Sequence, residues 1–110
     1  MRAGVLIAAL MMAAPASAEV ITVRYLCERG VEVPVTYVNA EGTEAVAVLN
    51  VEGGQITLIQ EVSASGARYG WPSGGSHYVW WSKGDAATLL WRDGETTIEE
   101  PVYSDCTVRD

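Results

Sequence analysis

Ile21-Thr22-Val23-Arg24-Tyr25-Leu26-Cys27, followed after Glu28-Arg29-Gly30 by Val31-Glu32-Val33-Pro34-Val35-Thr36-Tyr37, is the stretch on which the fold turns. Ile21, Val23, Tyr25 and Cys27 alternate with other residues, and Val31, Val33, Val35 and Tyr37 do the same after the break. Successive side chains of a strand point to opposite faces, so the pattern predicts two strands, each burying one face, joined at Arg29-Gly30.

The same reading extends along the chain. Further strands are expected at 45–51, at 55–62 (with Ile56, Leu58 and Val62 on one face), at 67–71, 77–83, 86–92 and 95–99. Gly42, Gly53-Gly54, Gly74-Gly75, Gly84-Asp85 and Asp93-Gly94 separate them, residues suited to tight hairpins. No segment sustains the 3.6-residue apolar period of a helix. Short strands with hairpin-length links predict an all-β domain, an antiparallel meander of about eight strands. Closing that meander into a small barrel hides its apolar face and removes exposed edges. A barrel of this size is filled by its own side chains, which places function on the rim or the outer surface rather than in a large internal cavity.

Composition sets the class. The chain has 110 residues, 49% of them hydrophobic, with 7 Lys+Arg against 14 Asp+Glu and a formal charge of −7. It is one domain, too apolar for a disordered tail and too acidic for a surface built to bind nucleic-acid phosphates. The first residues stand apart. Met1-Arg2 carries a positive charge, Gly4 to Ala14 is an uncharged apolar run, and Ala16-Ser17-Ala18 offers small residues before Glu19. This reads as a secretory signal peptide over 1–18, cut after Ala18, followed by one domain over 19–110. Loss of Arg2 takes the formal charge from −7 to −8, and Lys83 is the only lysine in the chain. No cysteine adjoins the cut, so the expectation is an exported, soluble, periplasmic protein without a membrane anchor. Cys27 and Cys106, the two cysteines, are expected to pair in an oxidising compartment. Two free buried thiols are the alternative.

Signatures of catalysis are thin. His77 is the single histidine, there is no phosphate loop or dinucleotide fingerprint, and neither a metal site nor a cofactor is expected. Ser65, His77 and Asp85 can be written as a nucleophilic triad, but nothing in the pattern brings them together. Glu99 and Glu100 point to opposite faces of a strand and read as solvated charges guarding an edge. The unusual segment is 63–85, in which a small-residue loop leads into Arg68-Tyr69 and a later strand carries Tyr78, Trp80 and Trp81 to Lys83, beside a Gly84-Asp85 turn. Trp80 and Trp81 alternate, so at least one of them packs inside.

Ser63-Ala64-Ser65-Gly66-Ala67-Arg68-Tyr69, followed by Trp81-Ser82-Lys83-Gly84-Asp85-Ala86-Ala87 and framed by Tyr25-x-Cys27 and Cys106, resembles the paired signature of the MliC/PliC inhibitors of c-type lysozyme. The resemblance implies an eight-stranded antiparallel barrel closed by a disulfide, and an inhibitor rather than an enzyme. It further implies that Ser65 and Lys83 enter the lysozyme cleft and meet its catalytic carboxylates, with Gly66, Arg68 and Tyr69 in the same lysozyme-binding region. The absence of a lipobox is similar to the periplasmic PliC branch. The segment Gly70 to His77 departs from the family pattern in being longer. A monomer or weak homodimer is expected. The competing expectations are an exported small-molecule or lipid-binding barrel and a structural envelope protein that docks through Trp71.

Overall fold

A computed structural model describes residues 17–109, so most of the expected leader lies outside the described residues. Eight strands follow in order: β1 (Ala18–Leu26), β2 (Glu32–Ala40), β3 (Val46–Val51), β4 (Gly54–Glu61), β5 (Ala67–Gly70), β6 (His77–Lys83), β7 (Ala86–Arg92) and β8 (Glu99–Val108). They close into a barrel in which each strand pairs antiparallel with the next, and β8 returns to β1. The alternation of the opening stretch is what the register uses: Tyr25 faces Val33, and Val23 faces Val35. A 3-10 turn over Glu28–Gly30 joins β1 to β2, where the turn residues Arg29-Gly30 were expected. Among the described residues no helix is long and apolar enough to cross a membrane.

The interior is filled by side chains. Val33, Val35, Leu49, Trp80 and Leu89 are fully buried. Trp80 donates its indole N–H to the Tyr37 hydroxyl at 2.8 Å, and Tyr37 shares a 2.7 Å hydrogen bond with Tyr25, whose ring meets Trp80 edge-on at 5.1 Å. The polar handles that these aromatics carry inward are therefore satisfied by one another, and burial pushes the Tyr25 phenol far above its ordinary titration range.

Closure is thinnest between β1 and β8, which share the register pairs Tyr25↔Val108 and Leu26↔Thr107. The Cys27–Cys106 disulfide forms at this seam, as the pairing of the two cysteines predicts, and both residues are buried.

Two strand expectations need correction. The last strand is 99–108 and not 95–99. The Asp93 carboxylate accepts from the backbone N–H of Glu95 and Thr96, and Thr97 turns through φ 61°, so 93–98 is a loop built on a side-chain-to-backbone turn. Val62 is not on the buried face of β4. That strand ends at Glu61, and Val62 is 98% exposed at the start of the connection to β5.

Candidate functional site

Ser65 and Lys83 stand at the same end of the barrel. Ser65 lies in the connection that enters β5, and Lys83 ends β6, the strand that pairs with β5 through Ala67↔Ser82, Arg68↔Trp81 and Tyr69↔Trp80. One side chain joins the two segments. Trp81 donates its indole N–H to the Ser65 carbonyl oxygen at 3.0 Å, and its ring lies 5.0 Å from both the Lys83 ammonium and the Arg68 guanidinium carbon. Cations at that separation are attracted by the negative face of the indole. The Ser63 hydroxyl donates to the same Ser65 carbonyl at 2.5 Å. Both bonds use the main-chain oxygen, and neither occupies the Ser65 hydroxyl, which is exposed at the rim.

Gly66 makes this close approach feasible. Its φ is +66°, and an added Cβ would meet the Ser82 carbonyl oxygen at 2.5 Å and collide with Lys83 Cγ. Only a residue without a side chain lets the loop lie against the end of β6. Beyond Lys83 the tight turn is pinned to the neighbouring β8, where the Asp85 carbonyl oxygen accepts from the backbone N–H of Val108 at 3.0 Å.

Charge is distributed unevenly. Arg24, Arg68, Arg92 and Arg109 each hold a carboxylate: Arg24 and Arg109 share Glu32, while Arg68 and Arg92 share Glu61 and Glu99. Among the described residues no carboxylate lies within ion-pair distance of Lys83, which is exposed. Arg68, expected in the binding region, keeps only 15% side-chain exposure between Glu61, Glu99 and the Trp81 ring. Tyr69, also expected in the binding region, is buried against Tyr37, with ring centroids 5.6 Å apart.

Glu99 corrects an expectation. It is not a solvated edge charge but part of a half-buried cluster, bonded to Arg68 and, at 2.8 Å, to Arg92 Nε. Burial alone pushes the Glu61 and Glu99 carboxyls up, but hydrogen bonds and charge from Arg92 and Arg68 outweigh it and hold both below the usual carboxylate range. The stability this contributes is present above the ordinary value of 4.5 and is lost as pH falls through the lowered native values. Thermal melts between roughly pH 3 and 6 should show the wild-type Tm falling more steeply on acidification than that of Glu99→Gln. Parallel curves would exclude the cluster as a source of acid sensitivity.

The triad does not assemble. His77 begins β6 at the opposite end of the barrel from Ser65 and Asp85, and its Nδ1 bonds the Gly75 carbonyl at 2.8 Å. Among the described residues no group of three or more His, Cys, Asp or Glu side chains could hold a metal ion. What the sequence reading missed is Trp81 as the link between the two motifs, and Glu61 and Arg92 as the holders of Arg68. The signal for Trp81 lay in the β5–β6 register, which alternation alone does not set.

These features define a small disulfide-closed barrel that presents a serine loop and an exposed lysine at one rim. The chain belongs to the MliC family, described as membrane-bound lysozyme-inhibitor of c-type lysozyme, whose family model matches residues 25–98. A membrane-bound lysozyme inhibitor of C-type lysozyme from Cupriavidus necator is 41% identical over 71 residues, 64% of this chain and 53% of that protein. The chain thus spans about half the length of that relative. The inhibitor of the same description from Pseudomonas aeruginosa is 38% identical over 91 residues, 78% of this chain and 68% of that one. Among solved structures, the periplasmic lysozyme inhibitor PliC-St of Salmonella typhimurium matches with a TM-score of 0.69 at 28% identity, covering 84% of this chain and all of that one. Pseudomonas aeruginosa MliC, solved in complex with hen egg white lysozyme, matches at 0.64 and 29% identity, covering 97% of this chain and all of that one.

Proposed function

We propose that the chain inhibits c-type lysozyme by inserting Lys83 and the Ser65 hydroxyl into the enzyme's cleft, and that it does so as an exported periplasmic protein. The observation that carries this reading is the Lys83 ammonium, free of carboxylate partners among the described residues and tied through Trp81 to the loop that presents Ser65. Lysozyme cleaves its glycan with two carboxyl groups, one protonated as general acid and one ionised. An ammonium held at a rim is the complement of the ionised group, and a hydroxyl can donate to or accept from either. The rest of the protein works at longer range. A formal charge of −7, or −8 once Arg2 is removed, attracts a basic enzyme and raises the association rate. A cut after Ala18 would leave β1 intact from Glu19 onward. The filled interior, with Trp80 and Leu49 fully buried, favours this reading over a lipid-carrying barrel.

Surface plasmon resonance with hen egg white lysozyme tests the reading. The association rate is expected to fall steeply with ionic strength, and a chain that fails to bind would end the proposal. Ser65→Ala should cost about 0.5–1.5 kcal/mol of affinity, the scale of one neutral hydrogen bond. Gly66→Ala should weaken binding more than Ser65→Ala while the domain stays folded, because the new methyl group displaces the loop from Lys83 and the Ser82 carbonyl. Equal affinity for Gly66→Ala and wild type would show that the close approach of the two segments is not needed.

A further inference from the structure

At the end of the barrel opposite Ser65 and Lys83, the wall has a gap. β5 stops at Gly70, and its ladder covers only Ile59–Glu61 of β4 and Trp80–Ser82 of β6. Gln55–Leu58 of β4 and His77–Val79 of β6 are therefore left without β5 between them. The gap opens into a groove of about 520 Å³, in the size range of small-ligand sites. Trp71, on the connection that leaves β5, and Trp91, on β7, flank it and remain 47% and 43% exposed. Tyr78 lines it between them. Its ring stands edge-on to Trp91 at 5.0 Å, and its hydroxyl donates to Glu52, which fixes the ring. The remaining polar lining is Gln55, Thr57, Ser76 and His77, and among the described residues no Asp, Glu, Lys or Arg lines the groove.

We propose that this groove binds an uncharged saccharide, specifically a chain of β-linked N-acetylhexosamines. The carbon-bound hydrogens of a pyranose make one face of the ring apolar and weakly positive, which suits a half-exposed indole, while its rim of hydroxyls and amides needs neutral donors and acceptors. Trp71 and Trp91 supply the first requirement. Gln55, Thr57 and Ser76, with the backbone edges that β5 leaves unpaired, supply the second. A wall without Asp, Glu, Lys or Arg side chains in so acidic a chain matches a ligand without charge. The choice of an amino-sugar chain rests on the proposed inhibition of lysozyme, since that is the glycan lysozyme cleaves. With the two sites at opposite ends, the protein could hold the glycan and block the enzyme together.

The test uses the chain from Glu19 without lysozyme, titrated with tetra-N-acetylchitotetraose and followed by tryptophan fluorescence and calorimetry. Saturable binding is expected, weakened about tenfold or more in Trp71→Ala, the scale on which a central aromatic anchor counts. Maltotetraose should bind at least about tenfold more weakly, as a ligand lacking the acetamido groups. No saturation in the millimolar range, equal binding of maltotetraose, or an unchanged affinity in Trp71→Ala would each overturn the proposal. Trp71→Ala should still inhibit hen egg white lysozyme fully. A wild-type chain that binds the saccharide but does not inhibit would therefore separate failure of the inhibitory reading from failure of this one.

Discussion

Replacing Lys83 with alanine is expected to weaken binding to a c-type lysozyme by about 30-fold to several thousand-fold, the 2–5 kcal/mol typical of truncating one partner of a buried charge pair. Most of that loss is the cost of leaving an ionised carboxylate of the enzyme covered and unpaired. The isolated domain should be unaffected. Lys83 is exposed, ends its strand and holds no carboxylate among the described residues, so its removal breaks no ion pair there. Inhibition constants measured by lysis assay for wild type and Lys83→Ala, with thermal melts of both, separate the two effects. A folded Lys83→Ala chain that inhibits as well as wild type would remove Lys83 from the mechanism. Lys83→Arg is a sharper probe: it keeps the charge but replaces a compact ammonium by a planar fork, and should recover part of the affinity.

Removing the disulfide should produce the largest change in stability. Cys27 and Cys106 are separated by 79 positions, and closing a loop of that length lowers the entropy of the unfolded chain by an amount worth about 4.5 kcal/mol in the chain-entropy model. Its position amplifies the effect, because it lies at the seam where β1 and β8 share two register pairs and where the barrel would open first. Urea denaturation of Cys27→Ala/Cys106→Ala against oxidised wild type measures it. A loss of several kcal/mol is expected, and a small chain of this kind could lose its fold altogether. A loss below about 1 kcal/mol would show that backbone pairing alone closes the barrel.

The fold was legible because its signals are local. The alternation from Ile21 to Tyr37 sets which residues face inward, and the glycine-marked turns set how far each strand runs. The failures lie where side chains compete with that pattern. Asp93 captures two backbone N–H groups and makes a loop of 93–98, which delays β8 to Glu99. The candidate site was legible in part. Ser65 and Lys83 were marked by resemblance, and the structure brings their segments to one rim. The linkage between them was not visible, since Trp81 reaches the Ser65 carbonyl across a hairpin whose register depends on the connection from Gly70 to His77. The half-buried cluster of Glu61, Arg68, Arg92 and Glu99 was equally hidden, because it joins residues of β4, β5, β7 and β8 that only closure of the barrel makes neighbours.

The central claim is that this acidic barrel stops a c-type lysozyme through the Ser65–Lys83 rim. Titrating the chain from Glu19 into hen egg white lysozyme, and following lysis of a bacterial cell-wall suspension, tests it most directly. Lysis is predicted to cease near one equivalent of added chain. Undiminished lysis at a large molar excess would contradict the claim.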